Sequence, residues 1–254
     1  MTSTFNGNML KTLFSRRYIF LTLIVPLAVM VMIRLGFWQL DRLEQRRAFN
    51  AHIAAVSVAP SLDLTANALD SDLESMEYRA VTVSGEFDHS QEIAIRNQAW
   101  GDQPGVHLLT PLKITGSDQA VLVDRGWIPL EAYQRGDWTA YEVAGTDVIE
   151  GMLRLSQAEP TFGGRPDPTP QPGETLRAWN FVNLQAIARQ IPNPLLNVYI
   201  QQAPDAANLQ PPYRSLPEFE LTEGPHLGYA VQWFIFATIL GVGYPMYVRR
   251  ETHD

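Results

Sequence analysis

Two stretches of this chain run without a charge, Tyr18–Ile33 over sixteen residues and Leu227–Val248 over twenty-two. At 1.5 Å per residue the second spans about the 30 Å of a hydrocarbon core, and the first reaches that length once carried on to Phe37. Between Tyr18 and Phe37 twelve residues are Leu, Ile, Val or Phe, contributing roughly 4–7 kcal/mol to insertion against at most about 3 for Arg34. Arg34 lies near the helix end, where its side chain snorkels to the headgroups. The second stretch holds nine such residues with Trp233 and three tyrosines. Both predict transmembrane helices, over 18–40 and 224–248. Beyond the first, LGFWQLDRLEQRRAFNAHIAAV keeps Leu40, Leu43, Ala48 and Ile53 apolar among charges, which extends that helix as a stalk to about residue 56.

Between the helices the period changes to two. YRAVTVSGEFD, QEIAIRNQ, VHLLTPLKI, QAVLVDRGWIP, TDVIEGMLRLS and LLNVYIQQA read as strands bounded by Gly, Asn, Pro or Asp, and predict a mainly antiparallel sheet. Residues 131–138 and NLQAIARQ suit short helices, residues 57–77 another, and AWNFV a further strand. EPTFGGRPDPTPQPGE at 159–174, with five prolines and three glycines, is a loop. The fold class is an α+β membrane protein: two transmembrane helices flanking a β-rich domain over 41–223 with short helices.

Composition hides this division, because 18% charged residues and a mean hydropathy of −0.11 are values of a soluble protein. Charge placement supplies the orientation. Lys11, Arg16 and Arg17 precede the first helix, and Arg249 and Arg250 follow the second. Residues 1–17 and 249–254 are therefore expected in the cytoplasm and the middle outside. Residues 41–225 hold 13 Lys or Arg and 25 Asp or Glu, a net charge of −12, which excludes a nucleic-acid partner. The first apolar run is too long for a signal peptide and no small-residue cleavage site follows it. No Arg- and Ser-rich transit sequence precedes it, which points to a bacterial inner membrane with a periplasmic domain. There is no cysteine, hence no disulfide, thiolate metal site or covalent haem attachment, and any metal ligand is His, Met or carboxylate.

No dinucleotide, phosphate-loop, zinc-protease or serine-hydrolase signature occurs, so no enzyme is expected. His52, His89, His107 and His253 are scattered singly and read as surface or strand residues. His226 differs, because it opens the second helix. On that helix His226, Tyr229, Trp233, Phe236 and Leu240 fall within about 80° of arc. Such a face suits a flat apolar ligand with the imidazole at its edge, or packing against another helix with Trp and Tyr in the interfacial belt. A helix N-terminus and adjoining hydrocarbon both disfavour a cation at His226, and neutral imidazole is the form that binds iron; the residue reads as a ligand or as structural. Pro225 pins the first turn. At the same leaflet RLGFWQLDR places Gly36, Trp38, Gln39 and Arg42. Gly36 permits close helix approach, and Arg34 or Arg42 is expected to pair with a carboxylate. Helix packing, a belt residue and a solvated stalk charge are the plain alternatives for Gly36, Trp38 and Arg42.

Taken together, LGFWQLDR, GVHLLTPL, VLVDRGWIP and HLGYAVQWF resemble the Surfeit locus protein 1 family of cytochrome c oxidase assembly factors, in order and over nearly the whole chain. The resemblance implies a chaperone role in biogenesis of the respiratory chain, where the oxidase catalytic subunit acquires haem a, with haem A synthase as a further partner. It implies His226 as ligand of the haem iron, Tyr229 and Trp233 against the ring, and Gly36, Trp38, Gln39 and Arg42 as the first-helix motif beside it, outward cations meeting the propionates. Arg125, Gly126 and Trp127 match the family's R-G-W turn, where the residues alone offer a strand end with a packed Trp. Pro104, Gly105, Thr110 and Pro111 match its loop and strand start. Asp124 departs from the pattern, which commonly has Asn there. The implied mechanism is a handoff rather than a reaction. The alternative is a scaffold that grips the nascent oxidase subunit without touching haem; an enzyme acting on haem or quinone ranks behind both.

Overall fold

The computed structural model describes residues 14–64, 68–69, 71–136, 138–160, 164–168, 175–206 and 210–251. Lys11, His253 and much of the 159–174 loop lie outside them. In chain order the elements are α1 (Ile19–Val58), β1 (Leu62–Asp63), β2 (Ala80–Phe87), β3 (Ile93–Trp100), β4 (Gln103–Ile114), β5 (Ala120–Pro129), α2 (Leu130–Arg135), β6 (Thr146–Leu155), β7 (Ala178–Trp179), α3 (Leu184–Ile187), β8 (Leu195–Gln202) and α4 (His226–Glu251). The short helix expected within 57–77 is a 3-10 turn at Leu73–Met76, and β1 lies just before it. Contacts divide the chain into two compact units, Met1–His52 with Glu220–Asp254, and Ile53–Phe219.

The first unit is a helix pair. α1 runs 40 residues, about 60 Å, without a break. Its partners on α4 descend in number as its own ascend, so the helices are antiparallel: Thr22 shares a 2.6 Å hydrogen bond with Tyr244, Val29 lies near Gly241, and Gly36 meets Phe234. Ala230, Ala237 and Val248 are the buried residues of α4, small or β-branched side chains that let helix backbones approach. The remaining surface is apolar and uncovered, with Phe20 70%, Leu23 64%, Ile239 64% and Met246 65% exposed. Both helices are long and apolar enough to cross a membrane.

The second unit is a barrel-like sheet. Its strands are ordered β1-β2-β6-β8-β5-β4-β3-β7, and a further pairing of β2 with β4 closes five of them on themselves. Five of the eight pairings are antiparallel, while β1–β2, β3–β7 and β5–β8 are parallel. β4 makes the closure possible: its first half pairs with β3 and its last three residues with β2. Gly85 sits at that seam, where a Cβ would collide with the Lys113 carbonyl and Leu112. Period-two alternation sends Val81 and Val83, Val121 and Val123, and Val198 and Ile200 into one interior core. The opposite face carries a second cluster, in which Leu109, Leu122 and Trp179 pack with α3. A third joins Ile128 to α2 and Trp138.

Candidate functional site

The histidine at the head of α4 is fixed by its neighbours. Gly224, at φ +68°, takes the left-handed turn into the helix, and the Pro225 carbonyl accepts the Tyr229 amide at 3.1 Å, closing the first turn. His226 is half-buried, with Nδ1 2.9 Å from Gln39 Oε1 on α1. An amide oxygen only accepts, so Nδ1 donates, and in the neutral ring Nε2 is the lone-pair nitrogen. A Cβ at Gly224 would lie 3.6 Å from that Nε2, so glycine leaves the ring edge uncovered where a longer side chain would lie across it. One turn from Gln39, a Cβ at Gly36 would come within 2.6 Å of the Phe234 ring, and Phe37 meets the same ring edge-on at 5.4 Å. That contact sets the register which brings Gln39 to His226. The segment entering α4 is also tied to α1. Arg46 donates to the Glu220 and Thr222 carbonyls at 2.6 and 3.0 Å, Asn50 donates to Thr222 O at 3.1 Å, and Arg47 grips Glu223 with two bonds of 2.8 and 2.9 Å.

Among the described residues the others singled out on the helices make no hydrogen bond or ring contact with the imidazole. Among the described residues Arg42 has no carboxylate partner; it donates to Gln45 at 3.0 Å and lies 5.6 Å over the Trp38 ring on its own helix. Arg34 has no ion pair among the described residues; the stalk's carboxylate pairing falls to Arg47. The aromatic face of α4 is not its packing face. Tyr229 and Phe236 are 49% and 42% exposed, and Trp233 is half-buried edge-on to Phe236, while Ala230, Phe234 and Ala237 face α1.

In the β unit Arg125 is 1% exposed, not merely a strand-end residue. Its guanidinium donates to Glu92 Oε2 at 2.7 Å and to the Tyr141 carbonyl, and covers the Phe87 ring at 5.2 Å. Thr110 donates to the same Glu92 oxygen, and His89 Nδ1 lies 3.5 Å from it. Burial pulls the Arg125 pKa below its ordinary value, against the charge and hydrogen bond of Glu92. Arg125 is the extra residue of a bulge between the Leu108–Gly126 and Leu109–Asp124 pairs; Gly126 takes φ +116°, and a Cβ there would meet the Tyr213 carbonyl at 2.5 Å. Trp127 is fully buried and stacks on Tyr213 at 5.9 Å, with Trp100 on the same tyrosine at 5.3 Å.

The profile of the SURF1 family matches residues 27–238. The chain belongs to the SURF1 family. A SURF1-like protein of Rickettsia prowazekii is 28% identical over 222 residues, 85% of each chain. Surfeit locus protein 1 of Homo sapiens is 26% identical over 170 residues, and a SURF1-like protein of Caenorhabditis briggsae 25% over 174; this chain spans 54% and 53% of their lengths. The SURF1 match takes in every site residue from Gly36 to Trp233.

Two histidines of this SURF1-family chain are more than scattered strand residues. The Val143 amide donates to His89 Nε2 at 3.1 Å, beside the Arg125–Glu92 pair. His107 Nδ1 faces both oxygens of Asp124 at 2.8 and 2.9 Å, and Asp124 Oδ1 also accepts the Gly126 amide at 3.0 Å. Burial lowers the His107 pKa, and the hydrogen bond and charge of Asp124 outweigh it, leaving it above the ordinary value. The one sequence signal for this pair is the acid at position 124, where the family pattern has an amide.

Proposed function

We propose that this protein is a membrane-anchored cytochrome c oxidase assembly factor that holds haem a as cargo at His226 and passes it to the oxidase catalytic subunit. The observation that carries the reading is the His226–Gln39 hydrogen bond. It orients the ring and commits the proton to Nδ1, which is the second-sphere arrangement that prepares an imidazole to ligate a metal through its other nitrogen. Among the described residues no three His, Asp or Glu gather as a metal site, and one exchangeable axial ligand suits a carrier that has to let go. His226 would hold the iron, Tyr229 and Trp233 would offer aromatic surface to the macrocycle, and Trp38 and Arg42 stand on the partner helix where a cation can meet a propionate. The exposed apolar faces of both helices would lie in the bilayer of a bacterial inner membrane. The termini would be cytoplasmic and the β unit periplasmic. Haem A synthase is the proposed donor, and the chain itself would make no chemical change in its cargo.

The test is purification from cells that make haem a. The protein is expected to retain a Soret band that His226→Ala abolishes with the helix content unchanged. Gln39→Leu leaves the ligand but releases its orientation, and should weaken haem binding by about tenfold or more. Equal haem content and spectrum in His226→Ala rejects His226 as ligand. A wild-type protein with no Soret band makes it a scaffold.

A further inference from the structure

His226 stands between two glycines, Gly224 and Gly228, the residue type that stiffens a backbone least. No acid sits in the first turn of α4, and a Cβ at Gly228 would touch nothing within 4 Å. The local sequence therefore gives the head of this helix little rigidity of its own. Yet the 2.9 Å bond from His226 Nδ1 to Gln39 requires the ring at one depth and one angle. The restraint has to come from outside the helix.

It comes from the chain just before α4. Residues 214–223 have no regular secondary structure, so their carbonyls are not committed to a helix or a ladder. α1 supplies donors to them from the face that carries Gln39, since Arg46 and Asn50 follow Gln39 at helical spacing. Arg46 Nη2 donates to Glu220 O at 2.6 Å and its Nε to Thr222 O at 3.0 Å, and Asn50 donates to that second oxygen at 3.1 Å. Arg46 is half-buried, and its guanidinium lies over the Phe49 ring at 5.5 Å. Arg47 is the rival for this role, and the weaker one. Its two bonds reach the Glu223 carboxylate, whose side chain rotates without moving the backbone, and the two side chains are 48% and 51% exposed to water and salt. A guanidinium spread across two carbonyls holds the main chain itself.

We propose that Arg46 is the positioning residue of the His226 site: by holding the Glu220 and Thr222 carbonyls it keeps the imidazole within reach of Gln39, and so keeps the ring proton on Nδ1 and Nε2 open to a metal. It is not a ligand itself. As a means of holding iron this rests on the haem-carrier function proposed above, whereas the restraint on the ring needs no cargo.

The experiment reads the imidazole nitrogen resonances of His226 in the full chain in detergent micelles without haem, at about pH 8, assigned by their loss in His226→Ala. The wild type is expected to show the ring protonated mainly on Nδ1. Arg46→Met keeps the apolar stem on Phe49 and removes both donors, so the signals should move toward the Nε2-protonated form that an unrestrained imidazole favours, with helix content unchanged. Haem affinity should fall about fivefold, the equivalent of one net hydrogen bond. Arg46→Lys, with one point charge for two carbonyls, should fall between the two. Arg47→Met, and about 1 M salt added to the wild type, should leave the resonances in place. Unmoved resonances in Arg46→Met, or an equal shift in Arg47→Met, overturns the positioning role. So does a wild-type ring protonated on Nε2, or one that salt releases, and neither of these depends on a variant folding. A wild type without a Soret band rejects the carrier function instead, and the nitrogen resonances still decide the role of Arg46.

Discussion

A glutamine side chain is a modest way to control a histidine, and it works here because amide oxygen and amide nitrogen are not interchangeable. Gln39 Oε1 at 2.9 Å dictates which imidazole nitrogen keeps its proton, and a carboxylate in its place would do the same while favouring the imidazolium. In the β unit that second case occurs, between Asp124 and His107 at 2.8 Å. Because the folded pKa of His107 lies above its ordinary value of about 6.5, the pair's contribution is fully present below the unfolded pKa and is lost as pH rises through the folded one. Urea unfolding of the wild-type chain should therefore show stability falling from about pH 6 upward. In Asp124→Asn that fall should be smaller, and an identical pH slope in the two proteins would remove the pair as its cause. His226 was legible in the sequence because its position, at the mouth of an apolar helix, is itself unusual. His107 and Asp124 were not, since seventeen residues and a bulged strand pair separate them and nothing in their spacing signals contact. The same holds for Arg125 and Glu92, a buried ion pair between β5 and the residue just before β3.

Elements were the most readable scale. Alternation found β2, β3, β4, β5, β6 and β8, and lengths of uncharged chain found α1 and α4, because both patterns record which face each residue buries. β1, of two residues, is too short to show a period, and β7 keeps only the Ala178–Trp179 part of the AWNFV stretch read as a strand. What the pattern does not contain is closure, which depends on β4 changing partner midway and on a backbone approach at one glycine. Gly85→Val puts two branches where the Lys113 carbonyl and Leu112 already stand. It should cost about 2–3 kcal/mol and lower the thermal midpoint by roughly 5–10 °C. A midpoint unchanged by that substitution would mean that the β2–β4 seam contributes nothing to holding the unit together.

For the whole molecule, the absence of cysteine makes orientation directly measurable, since one introduced thiol is the only one to label. Ser75→Cys, at an exposed position in the β unit, should react with a membrane-impermeant maleimide in intact spheroplasts, and Arg250→Cys, exposed at the end of α4, only after permeabilisation. The reverse pattern would invert the proposed topology and put the His226 end of α4 on the cytoplasmic face. Chain-wide averages of charge and hydropathy conceal both the helix pair and the sheet, whereas the order of strands has an effect that reaches beyond the finished fold. β8 is the last strand made, yet it lies between β5 and β6. Until residue 202 has left the ribosome, the growing chain holds two apolar strands with open hydrogen-bonding edges. Nascent chains stalled between β6 and β8 are thus the species most exposed to mispairing with their neighbours, and translation speed through residues 156–202 becomes a determinant of yield.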